Sequence, residues 1–204
     1  MSTSVHNRPV RKVFTNRLGG VSQPPYSSFN LGDHVGDDPA SVAANRKRLA
    51  SVIGLPETSL VWMEQIHSNT VTVVDEANKN SGVIPATDAI IATKRGLALC
   101  VLVADCVPVL ISDTEAGVIA AVHAGRLGAR NGIVAKTVEA MTTLGAHPRN
   151  MHVLMGAAAS GKTTRCPRRW RKTLKSICRA PNAQRTRGPR VSMCEKGSLG
   201  NCLG

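Results

Sequence analysis

Aromatic side chains are scarce here: two Trp, one Tyr and two Phe make up 2% of 204 residues, so the 42% apolar fraction is largely aliphatic. That fraction is ordinary for a globular protein. Long hydrophobic runs are also lacking. The longest, LALCVLVADCVPVLI, is broken by Asp105 and is too short to span a membrane. The stretch MSTSVHNRPVRKVF has no apolar h-region, so no secretory signal is expected and the default location is cytoplasmic. No CxxC-type zinc spacing occurs among the cysteines, which argues against a compact zinc finger. There is no internal repeat or low-complexity linker before residue 163. The length suits one domain with a real core, or two small ones.

Acidic residues nearly vanish in the last fifth of the chain. Residues 1–162 carry 15 Lys/Arg and 12 Asp/Glu, whereas residues 163–204 carry 11 Lys/Arg and Glu195 alone. The tail therefore supplies +10 of the net +13, together with Cys166, Cys178, Cys194 and Cys202. Such charge ordinarily points to nucleic acid or an anionic surface. Its confinement to one aperiodic segment instead reads as a disordered basic tail, with no specific nucleic-acid or membrane partner expected.

Residues 10–162 alternate strand and helix patterns. Strands are expected at 10–15, 60–65, 70–75, 88–93, 97–105, 107–113, 117–125 and 151–155. Continuous apolar character from 97 to 125 suggests burial on both faces. Asp38 and Pro39 form an N-cap and N1 pair opening a helix to about Ile53, closed by Gly54 and Pro56. A second helix is expected over 132–144, ending at Gly145.

His67, Cys106 and His123 fall at the ends of apolar strands. Ligands so far apart suit a site assembled by folding. Cys plus two His gives three ligands for tetrahedral zinc, with the fourth position open to water or substrate. Two alternatives stand beside this: a Cys nucleophile with a His base, and buried cysteines that act only as small hydrophobes. His34 lies in NLGDHVGDD, which reads either as a capped turn or as further polar ligands. Arg46, in AANRKRL, could face a phosphate or simply solvent. The three glycines of HAGRLGARNG permit close backbone approach to a ligand, or a tight strand-to-helix connection.

Gly156 to Thr163 spells G-x-x-x-x-G-K-T after a short apolar run, the pattern of a phosphate-binding P-loop. The context is wrong for an NTPase. No parallel βαβ array can follow so late, and Pro167 with a polar run stands where a helix is needed.

FTNRLGGVS, FNLGDHVGDD, AANRKRLA, WMEQIHSNTV, TDAII, ADCVPVLI, AAVHAGRLGARNGI and the GxAxSGK stretch, in this order, resemble the laccase-domain (YfiH-like) proteins. These were formerly called multicopper polyphenol oxidases and are now regarded as zinc-dependent purine nucleoside phosphorylases. The resemblance covers residues 10–162. It implies a layered α/β/β/α sandwich of mixed sheets, with zinc on His67, Cys106 and His123. It also implies phosphorolysis of adenosine, inosine, guanosine or methylthioadenosine, with a deaminase side activity on adenosine. The partners are then purine nucleosides and phosphate, with His34 and Arg46 as the groups that could steady phosphate or ribose. Copper suits less well, since six histidines, several outside the cluster, are too few for several copper centres. The usual HAGWRG is HAGRLG here, which leaves Arg126 without an inherited role.

Family members continue past GxAxxGK with a YEV-containing segment and TPGxDxRxGI, which residues 163–204 lack. One frame over, Lys162–Pro167 is compatible with N-Y-E-V-P, Trp170–Ile177 with M-A-E-D-V-E-K-H, and Gly188–Gly197 with T-P-G-V-D-V-R-E-G. The expectation is a core over 1–162 and an out-of-frame tail over 163–204, from a single-base deletion or an equivalent sequencing error after codon 162. The C-terminal part of the fold would then be missing. Exposed apolar surface would favour aggregation, and truncation could abolish activity although the three ligands remain.

Overall fold

A computed structural model describes residues 10–160, apart from 76–77 and 79–81. The tail expected over 163–204, and the Gly161–Thr163 end of the P-loop-like stretch, lie outside the described residues.

Local signals set the first helix, α1 (Pro39–Ile53). The Asp38 carboxylate accepts from the Ala40 and Ser41 N–H groups, Pro39 occupies the first turn, and Gly54 leaves in the left-handed region at φ 73°. After a 3-10 turn at Glu57–Ser59 come eight strands: β1 (Leu60–Met63), β2 (Val71–Val74), β3 (Val83–Ile84), β4 (Ala89–Ala92), β5 (Ala98–Leu99), β6 (Val107–Asp113), β7 (Val118–Ala124) and β8 (His152–Met155). Between β7 and β8 lie α2 (Arg126–Arg130) and α3 (Ile133–Thr143). The last helix ends in a Schellman turn. Gly145 N–H bonds Thr142 O at 3.0 Å, Ala146 N–H bonds Met141 O at 3.0 Å, and Gly145 sits at φ 96°.

The strands form two sheets. One has the order β3-β1-β5 and is parallel throughout. The other has the order β2-β4-β7-β6-β8, parallel only between β2 and β4. The period of two along each strand decides the layers. Leu60 and Trp62 of β1 pack with Ala50, Leu49 and Ile53 of α1. Val61 and Met63 turn the other way, onto Ile90, Ala92, Ala121 and Leu110 of the larger sheet. The opposite face of that sheet, from Ala89 and Ile91 through Val109, Val118 and Val122, packs against Ile133 and Met141 of α3. The result is the expected α/β/β/α sandwich, its larger sheet mixed and its smaller one parallel.

Two expected strands are corrected. Residues 10–15 form no ladder; side chains hold them instead, Lys12 Nζ to His152 O at 2.8 Å and Arg11 to Ile53 O at 3.2 Å. The 97–105 strand shrinks to Ala98–Leu99: pairing with β1 ends at Val61 and Leu99, with one further bond from Cys100 N–H to Val61 O at 2.8 Å, and Leu102 then bonds a side chain, that of Gln65. β3 and α2, each very short, carry no readable period.

The P-loop-like stretch follows β8, an antiparallel edge strand. Gly156 N–H bonds Pro108 O and Ala159 N–H bonds Asp105 O, each at 3.0 Å, so these amides extend the pairing with β6 and are not free to cradle phosphate. A Cβ at Gly156 would strike the Phe14 ring, which accounts for the glycine without a ligand. No helix among the described residues is long and apolar enough to cross a membrane.

Candidate metal centre

Three separate segments deliver His67, Cys106 and His123 to one place. His123 is the penultimate residue of β7, on the face directed at the smaller sheet; Cys106 immediately precedes β6; His67 sits in the turn between β1 and β2. Their ligand atoms all lie within 4.8 Å of one another. His67 Nε2 is 3.9 Å from Cys106 Sγ, and the two imidazoles meet edge to face with centroids 4.7 Å apart. Tetrahedral zinc bonds of about 2.0–2.3 Å need the donors drawn only slightly closer than this. His123 is buried, Cys106 half-buried and His67 exposed, so the group is open on one side. The floor is Gly125. A Cβ there would lie 2.9 Å from His67 Cδ2 and 3.2 Å from Cys106 Sγ. Gly128 lets α2 approach the His67 turn, where a Cβ would fall 2.6 Å from Ser68 O.

The turn carrying His67 uses almost every polar group it has. Glu64 accepts from Ala86 N–H at 2.9 Å, and Asn69 donates to Asn131 O at 2.7 Å. Gln65 takes both backbone groups of Leu102, accepting from its N–H at 2.8 Å and donating to its carbonyl at 2.7 Å. Its side chain thus stands in for the missing strand partner and holds the loop that ends in Cys106.

Asp88, fully buried at the start of β4, accepts four hydrogen bonds. They come from His123 Nδ1 at 2.8 Å, His67 N–H at 3.0 Å, Ser68 N–H at 2.6 Å and Ser68 Oγ at 2.7 Å. Burial raises its pKa, but the bonds from His123 and Ser68 outweigh that and hold the carboxyl below its ordinary range. An ionised carboxylate only accepts, so the proton sits on His123 Nδ1 and Nε2 offers its lone pair. Burial and then the Asp105 carboxylate push the Cys106 thiol up, against the pull of the Arg126 N–H. A nucleophilic cysteine needs the opposite setting. A cation among the three donors would draw that proton off.

A sequence model of the family described as "Multi-copper polyphenol oxidoreductase laccase" matches residues 11–194. The chain belongs to this family. This laccase-domain chain is 63% identical over 187 residues to a purine nucleoside phosphorylase of Corynebacterium glutamicum, covering 92% of itself and 76% of that relative. With a purine nucleoside phosphorylase of Mycobacterium tuberculosis it shares 51% identity over 158 residues, 78% of this chain and 62% of that one. Among solved structures it is similar to YlmD from Geobacillus stearothermophilus (TM-score 0.75, 28% identity, 84% of this chain and 68% of that one). It is also similar to YfiH from Bacillus licheniformis (TM-score 0.72, 26% identity, 82% and 64%).

His34 and Arg46 form a separate cluster in this laccase-domain fold. Arg46 donates to Leu31 O at 2.9 Å, pairs with Asp33 at 3.1 Å and lies 4.3 Å over the Trp62 ring. His34 is exposed, with Asp33 at 3.8 Å. Neither makes a hydrogen bond, ion pair or ring contact with the three donors. Cys100, half-buried near Arg46, has its thiol pKa pushed up to about 12 by desolvation. Sequence reasoning missed Asp88, Ser68, Gln65 and the specific role of Gly125. An acid at the edge of the wholly apolar AIIA strand was the one available signal.

Proposed function

We propose that this site is that of a zinc-dependent purine nucleoside phosphorylase acting on adenosine, inosine, guanosine or methylthioadenosine. A phosphate oxygen bonds to the anomeric carbon while the C–N bond to the purine breaks. The base leaves with that electron pair and takes up a proton, and the sugar leaves as its 1-phosphate. The observation that carries this reading is the convergence of three donors within 4.8 Å, open on the His67 side, in a chain whose relatives bear that name.

His67, Cys106 and His123 would hold the zinc, which when bound supplies a Lewis acid for an oxygen of the substrate and lowers the pKa of water. Asp88 keeps the His123 proton on Nδ1, so the ring presents Nε2 to the site. Gly125 keeps the floor clear of side-chain atoms. Arg46 steadies the loop bearing His34 through Leu31 O and Asp33, and the exposed His34 ring would be the group there to contact phosphate or ribose. Zinc is preferred to copper because oxidation at several copper centres needs several ligand groups. Among the described residues, this trio is the one group of three or more such side chains placed to hold a metal. The same reading includes hydrolytic deamination of adenosine as a side activity in a cytoplasmic enzyme.

The test uses this chain and a version extended with the C-terminal segment of the Corynebacterium relative. One zinc per chain and phosphate-dependent release of base are expected of the extended protein. A zinc-loaded extended protein that phosphorolyses none of the four nucleosides would overturn the reading. Ammonia release from adenosine reports the deaminase activity, and copper-dependent oxidation of a phenol reports the polyphenol oxidase alternative. The division into a core over 1–162 and an out-of-frame tail is tested by the nucleotide sequence around codon 163, which should encode the Y-E-V and T-P-G motifs one frame over.

A further inference from the structure

Asp88 does more than satisfy one imidazole. Its Oδ1 takes both the ring of His123 and the backbone N–H of His67, while Oδ2 takes both donors of Ser68. Its own backbone carbonyl accepts from His123 N–H at 2.8 Å, continuing the pairing of β4 with β7 by one residue. One buried carboxylate is therefore bonded to two of the three donor residues and to the neighbour of one of them. His67 also stands in the left-handed region at φ 59°. A residue with a side chain enters that region at a cost, and persists there only where its surroundings enforce it. The enforcing contacts are here: consecutive N–H groups of His67 and Ser68 both point at Asp88, a concave arrangement of successive amides that suits a negative charge.

We infer that Asp88 is the positioning residue that binds His67 and His123 into a single ligand unit, and that metal affinity depends on it. The inference rests on the metal-site reading above. The carboxylate fixes the His123 tautomer and also the backbone twist that turns the His67 ring toward Cys106. Ser68 is its accessory, because it fills the second oxygen and hands its own Oγ to Thr70 N–H at 3.1 Å. Cys106, the third donor, is placed independently by Gln65 and the start of β6.

Asp113 provides the control. It too is a buried carboxylate, accepting from the N–H groups of Glu115, Ala116 and His147, but it lies at the opposite end of β6 from Cys106. Zinc affinity is measured by competition with a chromophoric chelator on the unaltered chain, Asp88→Asn, Ser68→Ala and Asp113→Asn. Thermal melts of the metal-free forms are recorded alongside, together with the visible spectrum of the Co2+ forms. Asp88→Asn should lose about 10–100-fold in zinc affinity, the range for removing a group that orients a ligand, and should change the Co2+ spectrum. Ser68→Ala should lose less, and Asp113→Asn should lower the melting temperature without altering affinity or spectrum. If Asp88→Asn binds zinc as tightly as the unaltered chain, with the same Co2+ spectrum, the inference is wrong and Asp88 is structural only. Should that variant not fold, Ser68→Ala decides alone: undiminished affinity overturns the inference and a reduced one supports it. An unaltered chain that binds no zinc would defeat the metal-site reading itself, and this inference with it.

Discussion

Two polar clusters sit on the two sides of the smaller sheet's strand β1, and they are put together in opposite ways. At His67, Cys106 and His123, neighbours take up the surrounding backbone and the far side of one ring, leaving a nitrogen of each imidazole and a sulfur within 4.8 Å of one another. At Arg46 the charged group is itself consumed, by Leu31 O, Asp33 and the Trp62 ring. The first arrangement accumulates unspent lone pairs, which is what a metal needs. The second closes its own electrostatics and contributes mainly to holding the 30–38 loop on the body of the protein. Polar groups are therefore left available in one place and spent on packing in the other, according to whether their partners leave a lone pair free.

Substitutions should separate the two clusters by their readouts. Cys106→Ala has the largest expected effect: losing a donor outright should lower zinc affinity by more than the ~100-fold upper bound for orienting groups, as chelator competition would show. Next is Gly125→Val. Its φ of −69° suits any residue, so the harm is steric, and displacement of the His67 ring and the Cys106 sulfur should cost about 10–100-fold in affinity. On the other side, Asn45→Ala should leave zinc binding intact and destabilise the fold by about 3 kcal/mol, at the upper end of the cost of orphaning buried partners. Asn45 is buried and bonds Val21, Ser22, Ser28 and Asn30, so urea melts should register its loss. Arg46→Met keeps an unbranched stem but removes the guanidinium from over Trp62, and should cost about 1–2 kcal/mol for the lost cation–π contact and ion pair. A change in zinc affinity with Arg46→Met would mean that the two clusters are coupled after all.

The smallest effect concerns Asp38, whose pKa is lowered chiefly by the Ser41 side chain and then by the helix N–H groups it caps. Its folded pKa lies below the unfolded one, so its stabilisation is present above the unfolded pKa of about 3.9 and fades as pH falls through the folded value. The gap in melting temperature between the unaltered protein and Asp38→Ala should accordingly shrink below about pH 4.

Helix α1 was legible to the residue because Asp38, Pro39 and Gly54 act through bonds within one turn. β6 and β7 were legible because each is a near-continuous apolar run of strand length, bounded by turn residues. The 97–105 segment misled for the same reason: its apolar residues suit a strand, yet a strand also needs a partner, and beyond the Cys100 N–H bond to Val61 O it meets the Gln65 side chain. α2 was invisible behind Gly125 and Gly128, residues chosen for close approach at the expense of helix propensity. Of the candidate site, the three donors could be picked out by their chemistry at strand ends. Asp88 could not, since TDAII reads as a turn entering a strand, and the three residues that bond its carboxylate lie 20 to 35 residues away.

By itself the sequence determined what short range can determine: where helices start and stop and which apolar runs are strands, while the layered sandwich was implied by the family resemblance. It also offered His67, Cys106 and His123 as candidate donors. Only the tertiary structure decided that His67 and Cys106, 39 residues apart, meet within 3.9 Å above Gly125, and that Asp88 ties both histidines together. Capping and alternation are enforced by neighbouring atoms along the chain, whereas a shared ligand site exists only once two sheets have packed and the loops between them have closed.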